Sequence, residues 1–431
     1  MGVFNRLAGL HERLRADDMV RHGLMMAFFM ALANFGGYLY YLFLGIFLTA
    51  EEYGILFSLS SLFVIVTILS DNLFRTTIAK FTSKFKGENA LGKVNYLWHY
   101  SVKRTLLLGV AFFALLTLLI PVISHFLHID NNWYAFTLIV PLPLVFALPV
   151  IWGTLQGLQS FLFLGLSNVL LAFMKLGLAI LLVALGFGVF GGLVCVPIAY
   201  VVTFLVTLYL MRSLAAAGNE RFQPSGLFRY AGLAFVAFFA FIAATHGDVV
   251  LAKHFLSADQ AGNYSAISVL GRVVLYAPVG IAIAMFPKTS QLFEVKMSQR
   301  SVLLKATILT LIISGVIVLL YGLFPGGIID LIFGDEYSSA IPSLFKYGFA
   351  MALFALSFLL MNYALSINQT KIAYPLLGGL VLECVLISLF HSDIAQIVNM
   401  VLISAILCFT ATLAFYAKIR RSGPRYELDK S

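Results

Sequence analysis

Apolar residues in this chain come in long blocks, and polar residues gather in the gaps between them. A hydrocarbon core about 30 Å thick takes roughly 20 residues of α-helix, and blocks of that order recur from Gly23 to Tyr416. They predict spans over residues 23–48, 54–72, 104–126, 133–156, 162–185, 191–211, 229–255, 263–286, 303–324, 343–365, 372–391 and 394–416. The first block is too long for a cleaved secretory signal. It also follows a polar segment and has no small-residue cleavage site.

Composition agrees. Of the 431 residues, 61% are apolar and 11% charged, against roughly 45–50% and about 25% in soluble domains. The expected fold class is an all-α integral membrane protein of about 12 transmembrane helices. Cys195, Cys384 and Cys408 fall far apart inside apolar blocks. They suggest neither a disulfide framework nor a metal site.

The formal charge of +9 raises the question of nucleic acid, and the placement of the basic residues answers it. Alternate loops carry Arg6, Arg13, Arg15 and Arg21; then Arg75, Lys80, Lys84, Lys86, Lys93, Lys103 and Arg104; then Arg212, Arg221 and Arg229. Further along come Lys288, Lys296, Arg300 and Lys305, then Lys371, then Lys418, Arg420, Arg421, Arg425 and Lys430. That places 24 of the 28 basic residues on one side. The opposite loops hold only Lys253, while Lys175, Arg272 and Lys346 lie within spans. By the positive-inside rule both termini are expected in the cytoplasm, which an even number of spans satisfies. The charge is then a topology signal of a multi-pass protein in the inner or plasma membrane, and no nucleic-acid partner is expected. Residues 3–16 have the pattern of a short amphipathic helix on the inner surface.

The chain also repeats itself. Phe47-Leu-Thr-Ala-Glu-Glu-Tyr-Gly54 returns as Phe255-Leu-Ser-Ala-Asp-Gln-Ala-Gly262, at an offset of 208, and Leu155–Ser160 returns more weakly as Leu365–Thr370. Both pairs sit at matching places in two sets of six spans, which suggests parallel repeats related by an axis along the membrane normal. The expected organisation is an amphipathic segment at 1–22, a six-helix bundle at 23–211, a linker at 212–228, a second bundle at 229–416 and a basic tail at 417–431.

Several stretches resemble the polysaccharide-biosynthesis (Wzx-type) flippases of the multidrug/oligosaccharidyl-lipid/polysaccharide exporter superfamily. They are Leu44–Gly54, Gly153-Thr-Leu-Gln-Gly-Leu-Gln159, Lys175, Leu185-Gly-Phe-Gly-Val-Phe-Gly191 and Gly247–Leu256 running into Gly262-Asn-Tyr264. Phe286-Pro287 and Ile332-Phe-Gly-Asp-Glu-Tyr337 with Ala340 complete the set. The resemblance implies two six-helix bundles in a V around a central cavity. It also implies alternating-access transfer of a lipid-linked oligosaccharide, typically on polyprenyl diphosphate, from the cytoplasmic to the outer leaflet. Glycan polymerase and glycosyltransferases are the implied protein partners, the chain itself is expected to be a monomer, and no cofactor is implied. The superfamily also holds cation-coupled drug exporters, which is the alternative reading.

Charges at bilayer depth mark the candidate site, because a lysine there costs roughly 2.5–3.5 kcal/mol on insertion scales. Asn168, Ala172, Lys175 and Ala179 make one polar, small-residue stripe on a helix. Lys175 is either a cationic contact for a diphosphate or acidic sugar, or a lysine that snorkels or pairs locally with no substrate role. Asn34, Asn168, Arg272 and Asn362 are the other candidate cavity residues. Asp248 and Arg272 fall at similar expected depths on neighbouring antiparallel spans, so they suit a structural ion pair or a proton- or cation-linked switch. Glu383 is a third intramembrane charge without an identified partner. His246 and His254 flank Asp248, but their spacing does not suit a metal. Asp71 and Arg75 read as a helix pair at the interface. Pro141, Pro143, Pro149, Pro278 and Pro375 interrupt spans. An enzyme is not expected. The outer loops are short, the early acidic pair Glu51-Glu52 matches Asp259-Gln260 of the repeat, and no glycine-rich phosphate loop with lysine is present.

Overall fold

The computed structural model describes residues 25–26, 28–212, 220–221, 232–295 and 297–422. The segment expected at 3–16, most of the linker and the end of the basic tail lie outside the described residues.

Twelve helices are long and apolar enough to cross a membrane. They are α1 (Phe28–Phe47), α2 (Ala50–Gly87), α3 (Leu91–Phe126), α4 (Asn132–Gly157), α5 (Phe161–Ala184) and α6 (Gly188–Leu210). The second set is α7 (Phe235–Phe255), α8 (Ala258–Phe293), α9 (Arg300–Leu323), α10 (Asp335–Ser366), α11 (Thr370–Leu389) and α12 (Ile394–Ile419). Among the described residues there is no strand.

Two helices run well past the expected spans. In α2 the helix continues through a π-helical turn at Asp71–Arg75 into Thr76–Gly87. That second part buries Ile78, Ala79 and Phe85 and exposes Lys80 and Lys84 on its other side. Likewise α3 begins at Leu91 and buries Val94, Leu97 and Trp98 before the exposed Lys103 and Arg104. Both extensions are amphipathic rather than uniformly apolar, which is why hydropathy alone ends the spans early. The last helix continues to Ser422, into the residues expected as tail. Pro141 and Pro278 stand where α4 and α8 break, between Ile139 and Leu142 and between Tyr276 and Val279. Pro149 sits inside an unbroken helix.

The repeated turns explain how the two sets of helices meet. Thr49 caps α2: its Oγ1 accepts from the Glu52 N–H at 3.3 Å, and the Glu52 carboxylate accepts from the Thr49 N–H at 3.1 Å. Ser257 caps α8 by accepting from the Gln260 N–H at 3.4 Å. These are capping boxes or their near relatives, and they turn the chain sharply at the face opposite the basic loops. There the two glycines of the repeat abut. A Cβ on Gly54 would stand 3.0 Å from the Gly262 N, and one on Gly262 would fall 1.8 Å from the Ala50 carbonyl oxygen. Only glycine permits so close a backbone approach.

From this contact α2 packs along α7 and α8. The first turn of α10 and Phe333 just before it clasp the same corner. Glu336 accepts from the Ala50 N–H at 2.9 Å, Tyr337 donates to the Leu48 carbonyl at 3.3 Å, and Phe333 lies against Tyr53. His254 adds a stack on Phe126, with ring centroids 4.0 Å apart. Towards the basic side the joining bonds end at the level of Arg272. Beyond it α2 is only half-buried from Leu62 to Leu69, and Tyr276 on α8 is 42% exposed. The molecule is therefore closed on one face and parted towards the other.

Candidate functional site

Three of the five cavity residues expected from the sequence share one chamber. Asn34 of α1 and Asn168 and Lys175 of α5 line a cavity of about 190 Å³ together with Tyr40, Tyr41, Thr67 and Tyr200. The small residues of the α5 stripe keep the chamber open: Ala172 lines it, whereas Ala179 is packed away completely. A second cavity of about 200 Å³ shares Thr67 and Tyr200 and continues towards the basic side past Asp71 and Trp152.

Lys175 does not snorkel. Its Nζ lies 4.1 Å from the ring centroid of Tyr40 and 5.2 Å from that of Tyr41, cation–π contacts worth about 0.5–2 kcal/mol each depending on desolvation. The Tyr40 hydroxyl is fixed by donating to the Gly192 carbonyl at 2.7 Å. The ammonium thus has an aromatic seat, and no salt bridge to a carboxylate is formed at it among the described residues. Beyond these two rings, no acceptor for its N–H donors is found among the described residues. Asn168 donates to the Leu164 carbonyl of its own helix, so its side-chain oxygen remains for the chamber.

At the basic end of this track Asp71 and Arg75 pair as expected, at 3.4 Å. Arg75 also donates to Gln156 Oε1 at 3.1 Å and stands 5.8 Å over Trp152. The pair occupies the π-helical turn of α2, so it lies at the deeper cavity rather than purely at the membrane interface. Pattern analysis missed this, and it also missed the role of Tyr40, Tyr41 and Tyr200. Tyrosines in an apolar run look like packing, and only the proximity of a lysine on another span distinguishes them.

The second polar cluster lies in the C-terminal half. Asp248 on α7 is buried, and its Oδ2 accepts from the Tyr264 hydroxyl at 2.8 Å and the Tyr347 hydroxyl at 2.6 Å. Tyr347 is in turn 3.0 Å from Ser268 Oγ. Asp248 Oδ1, both carboxylate oxygens of Glu383 and Ser404 Oγ are buried without a hydrogen-bond partner. Asp248 and Glu383 are within electrostatic reach of each other, on helices α7 and α11 that pack together.

The direct Asp248–Arg272 pair expected from the sequence is not formed. The reason is register. α8 starts at Ala258, five residues before the expected start of the span, so Arg272 lies about 21 Å along it while Asp248 lies about 10 Å from the end of α7. Tyr264, about 9 Å along α8, is level with Asp248 and takes the place of the arginine. Arg272 reaches across to the other half instead: its Nη2 donates to Ser61 Oγ at 3.1 Å, and its guanidinium sits 4.5 Å over Phe57. Phe57 meets Tyr41 edge-on at 5.3 Å. Two of the three cations within spans therefore share one aromatic cluster, Lys175 on Tyr40 and Tyr41, and Arg272 on Phe57. Asn362 does not join it. It is buried, donates to the Phe358 carbonyl of its own helix at 2.9 Å and lines neither cavity. His246 lies 2.8 Å from the Tyr276 hydroxyl, and His254 belongs to the closed face.

The sequence matches no protein-family model and no curated protein. Solved structures do match. An inward-facing multidrug resistance MATE family transporter of the MOP superfamily superposes with a TM-score of 0.75, covering 89% of this chain and 96% of that one at 16% identity. An outward-facing MATE transporter of the same superfamily gives 0.68 over 93% and 95% at 17% identity. A MOP superfamily transporter from Pyrococcus furiosus Vc1, described as having a binding pocket of reversed polarity that suggests a different function, gives 0.65 over 94% and 95% at 17% identity. The chain has the fold of these transporters.

Proposed function

We propose that this protein is a flippase for an anionic, lipid-linked oligosaccharide, carried on polyprenyl diphosphate and moved between leaflets by alternating access. Lys175 carries the reading. A lysine held at bilayer depth on two tyrosine faces, lining a chamber with two asparagines and with no carboxylate paired to it, suits a diphosphate or acidic sugar better than a cationic drug. The glycan head needs a polar passage, while its polyprenyl tail can stay in lipid. With the basic loops in the cytoplasm, the parted side is the side on which the cargo is made. Docking of glycosyltransferases and a glycan polymerase on that face belongs to the same proposal, as does action as a monomer.

The test is transfer of a labelled polyprenyl-diphosphate glycan by purified protein in liposomes. Wild type is expected to transfer it, and Lys175→Ala to lose at least tenfold in rate with an unchanged melting temperature. Normal transfer by Lys175→Ala removes the cationic contact, and no transfer by wild type removes the function.

A second reading, cation- or proton-coupled export of small molecules, is favoured by the unpaired carboxylate oxygens of Asp248 and Glu383 and by the multidrug transporters that share the fold. In that case the two carboxylates hold the coupling ion. Drug efflux that follows an imposed ion gradient and disappears in Glu383→Gln distinguishes it.

A further inference from the structure

The largest cavity described is not between the two halves. It is a furrow of about 780 Å³ on the outside of the C-terminal half. Its origin is topological. Helices α9 and α12 each pack on α10 but make no extended contact with one another, which leaves α10 as a floor between two walls. Leu353 and Leu360 belong to the floor, α9 contributes Arg300 through Leu319, and α12 contributes Phe409, Leu413 and Tyr416.

At the corresponding place the N-terminal half carries a smaller cavity of about 510 Å³, lined by α4 and α6 without α3. There α3 approaches α4 so closely that a Cβ on Gly109 would lie 2.6 Å from the Pro143 Cα. At the repeat offset α9 carries the bulky run Ile317–Leu319 instead of a glycine. The length of the furrow along α9 is thus particular to this half.

The geometry points to this furrow as the seat of the isoprenoid chain of the polyprenyl-diphosphate carrier, with Arg300 at its basic-side mouth taking the diphosphate. This assignment rests on the flippase reading and adds where the lipid part of the cargo is held. Two observations select the occupant. Length is the first: from Arg300 to Leu319 the furrow runs about 28 Å along α9. One leaflet, and hence one phospholipid acyl chain, spans only about half of a core roughly 30 Å thick. A single chain that fills the furrow must be longer than an acyl chain. Charge is the second. The exposed Arg300 is the one charged residue lining the furrow, at its basic-side end, among mostly apolar residues with Thr307, Thr310, Ser314 and Tyr416, and it forms no salt bridge among the described residues. A guanidinium there matches a diphosphate with paired N–H donors. The isoprenoid can then stay on the outer surface of the C-terminal half, apart from the Lys175 chamber, which α1, α2, α4, α5 and α6 line in the N-terminal half.

The experiment uses the full-length protein in nanodiscs of phosphatidylethanolamine and phosphatidylglycerol. The probe is a sugar-free polyprenyl diphosphate with a diazirine near the tail end, and labelled residues are mapped by mass spectrometry. Labels are expected on α9 and α10 within the furrow. Unlabelled polyprenyl diphosphate should compete, and a tenfold excess of phosphatidylglycerol should not. Gly315→Trp, at a furrow position where an added Cβ meets nothing within 4 Å, should cut labelling at least tenfold without loss of folded protein. Arg300→Gln should weaken labelling by the diphosphate about tenfold and leave labelling by a neutral polyprenol unchanged. Labels elsewhere, or equal labelling by a diazirine phosphatidylglycerol, overturn the assignment. If the furrow stays unlabelled while wild type still transfers the glycan lipid, only this assignment falls. If wild type neither binds polyprenyl diphosphate nor transfers the glycan, the flippase reading falls as well.

Discussion

Asp248 shows how a buried carboxylate is kept without a direct ion pair to an arginine. Tyr264 and Tyr347 both donate to one of its oxygens, and the other oxygen is left unpaired. Burial of an unpaired polar atom costs about 1–3 kcal/mol, so the cluster carries strain that a bound cation or a proton would relieve. Tyr347→Phe removes a donor from the carboxylate and the partner of Ser268 together, and is expected to destabilise the protein by about 1–3 kcal/mol. Ser268→Ala removes one neutral contact and is expected to cost about 0.5–1.5 kcal/mol. Thermal unfolding in detergent compares the two, and equal melting temperatures for Tyr347→Phe and wild type would show that the phenol does not support Asp248. From the sequence, the depth of Asp248 was readable because a charge stands out among apolar residues. Its partners were not, because a tyrosine in a span has no signature that separates a donor from a packing ring. Lys175 repeats the lesson in the other half: the spacing of the α5 stripe placed it in a chamber, but its seat on Tyr40 and Tyr41 required the fold.

At the level of elements, the count of twelve helices follows from block length, and the errors lie at the ends. The extensions of α2 and α3 escape a hydropathy reading because polar and charged residues on one side of each helix interrupt the apolar run. The start of α8 escapes it because Ser257-Ala-Asp-Gln260 is polar, although that polarity is what caps the helix. A shift of five residues there moved Arg272 out of reach of Asp248 and towards Ser61. The glycine that follows the second cap has a sharper consequence. Any side chain at Gly262 must displace the Ala50 backbone, and overpacking of this kind costs about 1–3 kcal/mol. The least costly escape is to separate the two turns, so Gly262→Val is expected to shift the population towards a form opened on the face away from the basic loops. Spin labels on the exposed Glu51 and Asp259 positions report it as a longer inter-label distance. Gly37→Val, at a site where an added Cβ meets nothing within 4 Å, is the control expected to leave the distance unchanged. The same distance in Gly262→Val as in wild type would mean that the strain is absorbed within α8.

For the whole molecule, the internal echo of 208 residues announced two equivalent halves, but not that the echoing turns touch each other. That contact decides the state of the structure. The joining bonds run from the turns to Arg272, and no comparable set holds α2 to α8 on the basic side among the described residues. Coulombic and aromatic contacts at mid-depth tie the two halves through Arg272, Phe57 and Tyr41, so the chamber around Lys175 and the closed face are mechanically connected. The proposed alternating access requires the turn contact to break once per cycle, and cargo to reach the chamber from the basic side without breaking it. Joining cysteines at Glu51 and Asp259 with a short, reducible cross-linker is therefore expected to slow transfer at least tenfold, while the affinity for cargo added from the basic side changes by less than about twofold. Reduction should restore the rate. The cross-link yield is read on a gel, binding by titration in nanodiscs and transfer in liposomes from one preparation. Transfer that continues at the wild-type rate in fully cross-linked protein would show that the turns need not part, and the alternating use of this closed face would have to be abandoned.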